Sequence, residues 1–138
     1  MITIRKLKTG MLALLAILSL PHTAQAHHSY AMFDQGKEIT AQAVIRTWQF
    51  TNPHATLWVY INDDQGKPVL WGIEAPGPRQ LLQNGWDRET VKPGDEVSIV
   101  IHPLRDGRNG GSLVKLTLPG GRSLGTGGAP RAVEKATE

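Results

Sequence analysis

The chain has 138 residues, with 15 Lys and Arg, 12 Asp and Glu, five histidines and no cysteine. Lacking cysteine, it has no disulfide, no thiolate metal centre and no thiol nucleophile. Arg5, Lys6 and Lys8 all precede residue 27 and no acidic residue does, so the remainder carries 12 of each sign; a basic surface organised for nucleic acid or anionic lipid is not expected.

The N-terminus reads as a secretory leader. Its three cations are followed by the apolar run Met11–Leu20, Pro21 ends that run, and Ala24-Gln25-Ala26 offers the small side chains that signal peptidase needs. A membrane span needs about 20 apolar residues, twice what this run supplies. Residues 1–26 are therefore expected to be removed. The product is expected to be periplasmic or secreted, free of the membrane, and to begin at His27.

The rest is short enough for one domain, expected over residues 27–118. Residues 27–37 form a lead-in without periodicity. Glu38 to Phe50 is rich in β-branched and aromatic residues and reads as a long strand. Its phase slips: Ile39, Ala41, Ala43 and Ile45 share a face, whereas Trp48 and Phe50 fall on the other, as in a bulged strand. His54 to Asn62 alternates Leu57, Val59 and Ile61 against Thr56, Trp58 and Tyr60. Asp63-Asp64-Gln65-Gly66 is a turn, and Val69 to Glu74 returns as a third strand.

Pro76 and Pro78 introduce the short helical stretch RQLLQ, which stops at Asn84-Gly85. Val97, Ile99 and Ile101 mark a fourth strand, and Val114, Leu116 and Leu118 a fifth, with RDGRNGG as a flexible loop between them. From Pro119 the composition is glycine, small and charged residues, expected as a flexible tail over 119–138. The order, all-β with one short helix between strands three and four, matches a five-stranded OB-like Greek-key barrel. An open β-sandwich is the alternative architecture.

Cleavage after Ala26 would leave His27 with a free α-amine and an imidazole on one residue. With a second imidazole, these would make a three-nitrogen chelate suited to copper(II). The candidate metal ligands are His27, His28, His54 and His102, with copper or zinc as the ion. By alternation, His54 and His102 both fall opposite the main apolar set, on the accessible face. The ten-residue lead-in spans up to about 33 Å. Met32, beside Phe33, is expected in the core, with a soft copper(I) ligand as its alternative role.

Trp48, Trp58 and Tyr60 form the candidate ligand-binding set, an aromatic platform on the outer sheet face. Trp71 shares its phase with Val69 and Ile73 and is expected in the core. Trp86 is expected to plug one barrel end with its N–H still partnered. The carboxylates are scattered without the spacing of a shared catalytic site, and no nucleophile elbow, phosphate loop or dinucleotide fingerprint is present.

The segments HHSYAMFD, WQFTNPHA, WGIEAPGP, NGWDRETVKPGDEV and HPLRDG, in that order, together resemble an uncharacterised family of small exported proteobacterial proteins over most of residues 27–118. The resemblance implies a periplasmic single domain and assigns no catalytic residue. The family's histidine positions fall on His27, His28 and His54, with His102 a weaker correspondence. The expected function is a non-enzymatic periplasmic binding module that holds copper or zinc through its histidines. The alternative is a carrier or adaptor taking a small organic ligand or a periplasmic protein partner on the aromatic face. Nucleic acid is not an expected partner.

Overall fold

In the computed structural model, residues 30–127 are described. The chain divides into two units, Met1–Ala31 and Met32–Glu138, and the architecture below is that of the second. Among the described residues no helix is long and apolar enough to cross a membrane.

Among the described residues six strands and one α-helix follow in the order β1 (Ile39–Gln49), β2 (Ala55–Asn62), β3 (Pro68–Ala75), α1 (Pro78–Gln83), β4 (Glu96–Pro103), β5 (Gly110–Thr117) and β6 (Ser123–Gly125). They make one sheet in the order β3-β2-β1-β4-β5-β6, and an additional β3–β5 pairing closes it. The result is the five-stranded barrel expected from the sequence, with one extra strand. All contacts between neighbours are antiparallel except the parallel β3–β5 seam.

Closure depends on the length of β1. Directly paired residues lead from His102 to Ser112, then to Glu74, Thr56 and Gln49. Gln49 is the last residue of β1, yet β4 meets β1 at its opposite end, Ile101 beside Ile39. One strand therefore serves both sides of the seam, as the tilt and stagger of a small closed barrel require.

The slip in β1 is a bulge. The register with β2 shifts between Ile45 and Thr47, leaving Arg46 as the extra, exposed residue. One inserted residue reverses the alternation. Ala43 and Ile45 point inward before the bulge, and Trp48 and Phe50 point inward after it. The aromatics expected on the opposite face are thus returned to the core.

The β2–β3 turn is built by Asp63, whose carboxylate accepts from the backbone N–H groups of Gln65 and Lys67 at 3.0 and 2.9 Å. Gly66 supplies the positive φ, 77°. Acidic residues here serve turn geometry.

Leu57, Val59, Ile73, Leu81, Ile99, Ile101 and Leu116 are completely buried. Each such side chain contributes roughly 1.5–3 kcal/mol of stabilisation when removed from water. Helix α1 sends Leu81 into one end of the barrel, and Trp86 closes that end with its indole N–H donating to the Gly125 carbonyl at 2.8 Å. Trp71 packs partly buried against the core.

Three local expectations need correction. Strand β5 starts at Gly110, so the final Gly-Gly of RDGRNGG belongs to the sheet. A register shift opposite Val100/Ile101 skips Val114, so Leu113 takes the inward position beside Leu116 and Val114 does not. Met32 is exposed, whereas Phe33 is buried and bridges to Leu104. The composition of residues 119–138 also concealed β6, which lies within the stretch read as a tail.

Candidate functional site

The strand pairings lay the outward side chains of the barrel in rows. One row runs Gln49, Thr56, Glu74, Ser112, His102; the next runs Thr47, Trp58, Gly72, Gly110; a third holds Val44, Tyr60 and Leu70. These residues alternate with the inward Leu57, Val59, Ile73 and Ile101, which fixes them on the outside. Val44 and Tyr60 are exposed, and Trp58, Leu70 and Glu74 are partly buried.

Trp58 has a defined pose. Three carbons of its six-membered ring lie 3.0–3.5 Å from where a β-carbon on Gly72 would stand, so the indole rests across the bare backbone of β3. Its N–H donates to Gln49 Oε1 at 3.2 Å. Because indole nitrogen only donates, this contact also fixes the orientation of the Gln49 amide. On the next residue pair, Leu104 occupies the space above Gly110. Two adjacent glycines thus make a bare strip, with Trp58 over one and Leu104 over the other.

His54 immediately precedes β2 and pairs diagonally with Glu74, Nδ1 to Oε1 at 2.7 Å; their side chains are 37% and 31% exposed. His102 places its Nδ1 2.9 Å from the Lys37 carbonyl. A carbonyl can only accept, so His102 Nδ1 carries the proton; the Glu74 carboxylate imposes the same state on His54. In both rings Nε2 is the nitrogen left to meet something else.

The two rings share an outer band, but β3 and β5 intervene. Three strand spacings separate them, roughly 14 Å along the wall. Among the described residues no group of three His, Asp or Glu side chains is arranged to hold a metal ion. His27 and His28 lie outside the described residues.

Trp48 does not belong to the outer platform with Trp58 and Tyr60. It pairs with the buried Leu57, its ring centroid lies 5.6 Å from Phe50 and 5.7 Å from Trp86, and its N–H donates to the Asp87 carbonyl at 3.0 Å. The cause is the extra residue at Arg46.

Sequence reasoning missed two features. Gly72 is one, since a glycine within VLWGIE gives no hint that a tryptophan will lie on it. The other is an open cleft of about 640 Å³ beside α1, lined by Asn52, Pro53, Arg79, Gln80, Gln83 and Asn84 among others. Two of its amides are committed internally: Gln80 Nε2 donates to the Thr126 carbonyl, and Asn84 Nδ2 to the Gln80 carbonyl.

A model described as a family of unknown function, DUF6152, matches residues 15–113. No curated protein and no solved structure matches the chain. The chain belongs to the DUF6152 family.

Proposed function

We propose that this member of a family without assigned activity is an exported, periplasmic binding module, not an enzyme, and that it takes its ligand on the outer face of β1, β2 and β3. One observation carries the reading: Trp58 lies across Gly72 with its N–H tied to Gln49, beside the exposed Tyr60. A pre-positioned aromatic surface binds with little loss of side-chain freedom, which favours recognition. The leader-like N-terminus supports export. The charge balance after residue 26 supports a partner other than nucleic acid.

Amide chemical-shift mapping of the full chain against a library of small polar and aromatic fragments tests this. Shifts are expected to centre on Trp58, Tyr60, Gly72 and Glu74. Shifts confined to the cleft beside α1 would move the site there and overturn the reading.

A second reading has its own support. Metal-binding imidazoles commonly give their other ring N–H to a carboxylate or a backbone carbonyl, and His54 and His102 do this with Glu74 and Lys37. In this reading a processed terminus supplies His27 and His28, and copper or zinc is held with His54 or His102 at Nε2. Copper(II) titration of the processed protein, followed by electron spin resonance, tests it. A spectrum indifferent to both His54→Ala and His102→Ala would remove these residues from the site.

A further inference from the structure

We infer that the ligand of the outer face is a neutral saccharide, its apolar ring face on the Trp58 indole and its hydroxyl groups on the planar side chains around it. The inference rests on the binding face proposed above and adds the class of ligand.

The first argument is shape. One side of the Trp58 ring faces the Gly72 backbone and the N–H edge faces Gln49. Trp58 is partly buried, and the contact surface left to a ligand is the ring face turned away from Gly72, a single platform and not a slot between two rings. A pyranose has an apolar face of C–H groups that suits one such platform. Tyr60 follows two residues along β2, about 7 Å away at the rise of a strand, so two linked sugar units can engage both rings.

The second argument is hydrogen bonding. Gln49, Thr56, Glu74 and His54 border the platform. Together they offer an amide, a hydroxyl, a carboxylate and an imidazole, a mixture of donors and acceptors. A sugar hydroxyl both donates and accepts, so it can satisfy each of them. Glu74 gives Oε1 to His54 and retains lone pairs on Oε2.

The third argument is charge. None of the residues in the three outer rows from Val44 to Glu74 is Lys or Arg; Arg46, the exposed bulge residue, stands at the border. A phosphate or carboxylate ligand on Trp58 would meet the Glu74 charge inside the rows, with Arg46 only at their border. A cation would be drawn to Trp58 and Glu74, but His54 already takes Oε1 of that carboxylate and leaves one oxygen, Oε2, which a single hydroxyl donor satisfies. An uncharged, hydroxyl-rich ligand fits both facts.

The test is titration of the full chain with cellotriose, maltotriose and chitotriose, alongside benzyltrimethylammonium and inorganic phosphate. The readouts are tryptophan fluorescence and the indole N–H cross-peaks, with Trp58 assigned from Trp58→Phe. At least one trisaccharide is expected to shift the Trp58 cross-peak saturably. Trp58→Ala is expected to weaken that binding roughly tenfold, Trp58→Phe less, and Glu74→Gln a few-fold.

The wild-type cross-peak needs no variant, so a poorly folding Trp58→Ala leaves the result decidable. Binding of benzyltrimethylammonium or phosphate at Trp58 with no trisaccharide response would leave the face standing and overturn the saccharide. Silence at Trp58 toward every probe would overturn the saccharide, and fragment mapping would then decide the face separately.

Discussion

Gly72 lies beneath the Trp58 indole, and a β-carbon added there would stand 3.0 Å from Trp58 Cζ3. The obstacle is the far end of a side chain, which can tilt. Gly111 differs: its added β-carbon would stand 2.6 Å from the His102 carbonyl oxygen, part of the sheet itself. Gly72→Ala is therefore expected to change stability by less than about 1 kcal/mol, because lost unfolded-state freedom offsets part of the crowding. It should nevertheless shift Trp58 fluorescence and weaken the bond to Gln49. Gly111→Ala should destabilise by roughly 2–3 kcal/mol. Urea unfolding of both variants checks the contrast, and equal losses would show that the indole cannot move.

The His54–Glu74 contact is short, at 2.7 Å, yet both side chains are about one-third exposed. Solvent screening limits such a pair to roughly 0.2–1 kcal/mol. A double-mutant cycle with His54→Ala and Glu74→Ala is expected to return a coupling within that range. The sharper signature is the ring state. Nitrogen NMR should find His54 and His102 protonated on Nδ1 when neutral, and Glu74→Ala should release that restriction at His54 alone. A neutral His54 protonated on Nε2 in the wild-type chain would contradict the geometry.

In the loop before β5, the Arg108 backbone N–H and then its side chain hold the Asp106 carboxyl below the ordinary aspartate value of 3.8. The contacts are 3.1 Å from the backbone nitrogen and 2.7 Å from Nε. A lowered folded-state pKa contributes stability that is present above the unfolded pKa and lost as pH falls through the folded one. Arg108→Ala removes the side-chain bond and keeps the backbone one. Carboxyl NMR should therefore show the Asp106 midpoint rising part of the way toward 3.8. No movement would assign the whole effect to the backbone.

Much of the barrel was legible because alternation survives in β2 and β4, where Leu57, Val59, Val97, Ile99 and Ile101 keep strict period two. The helix was marked by Pro78 and by Gly85, whose φ is 82°. Bulges were the failure. A bulge changes parity without changing composition, so the slip at Arg46 was visible but its consequence, Trp48 turned inward, was not. At Val114 the slip left no trace in the sequence. The site was legible only in part. Alternation put His54, Trp58 and Tyr60 on the outer face, but nothing in the chain announced that Glu74 would meet His54 or that Gly72 would support Trp58. Those are contacts between strands, set by register.

The stretch after Pro119 is the part whose composition argues most strongly against structure, yet Ser123–Gly125 pairs with Lys115–Thr117 along β5. Its neighbour Thr126 is buried and donates to the Leu113 carbonyl at 3.0 Å. The Gly125 carbonyl receives the Trp86 indole N–H. Glycine-rich sequence suits this route because Gly120 and Gly121 both have φ of 93°, a region that other residues enter at a penalty. A chain ending at Leu118 would leave the Trp86 N–H and the outer edge of β5 without these partners, at about 1–3 kcal/mol for each buried group orphaned. The truncated protein is expected to lose at least about 2 kcal/mol in urea unfolding relative to the full chain. Thr126→Ala alone should lose about 1 kcal/mol. An unchanged midpoint after truncation would mean that water replaces β6 fully and that Trp86 closes the barrel end unaided.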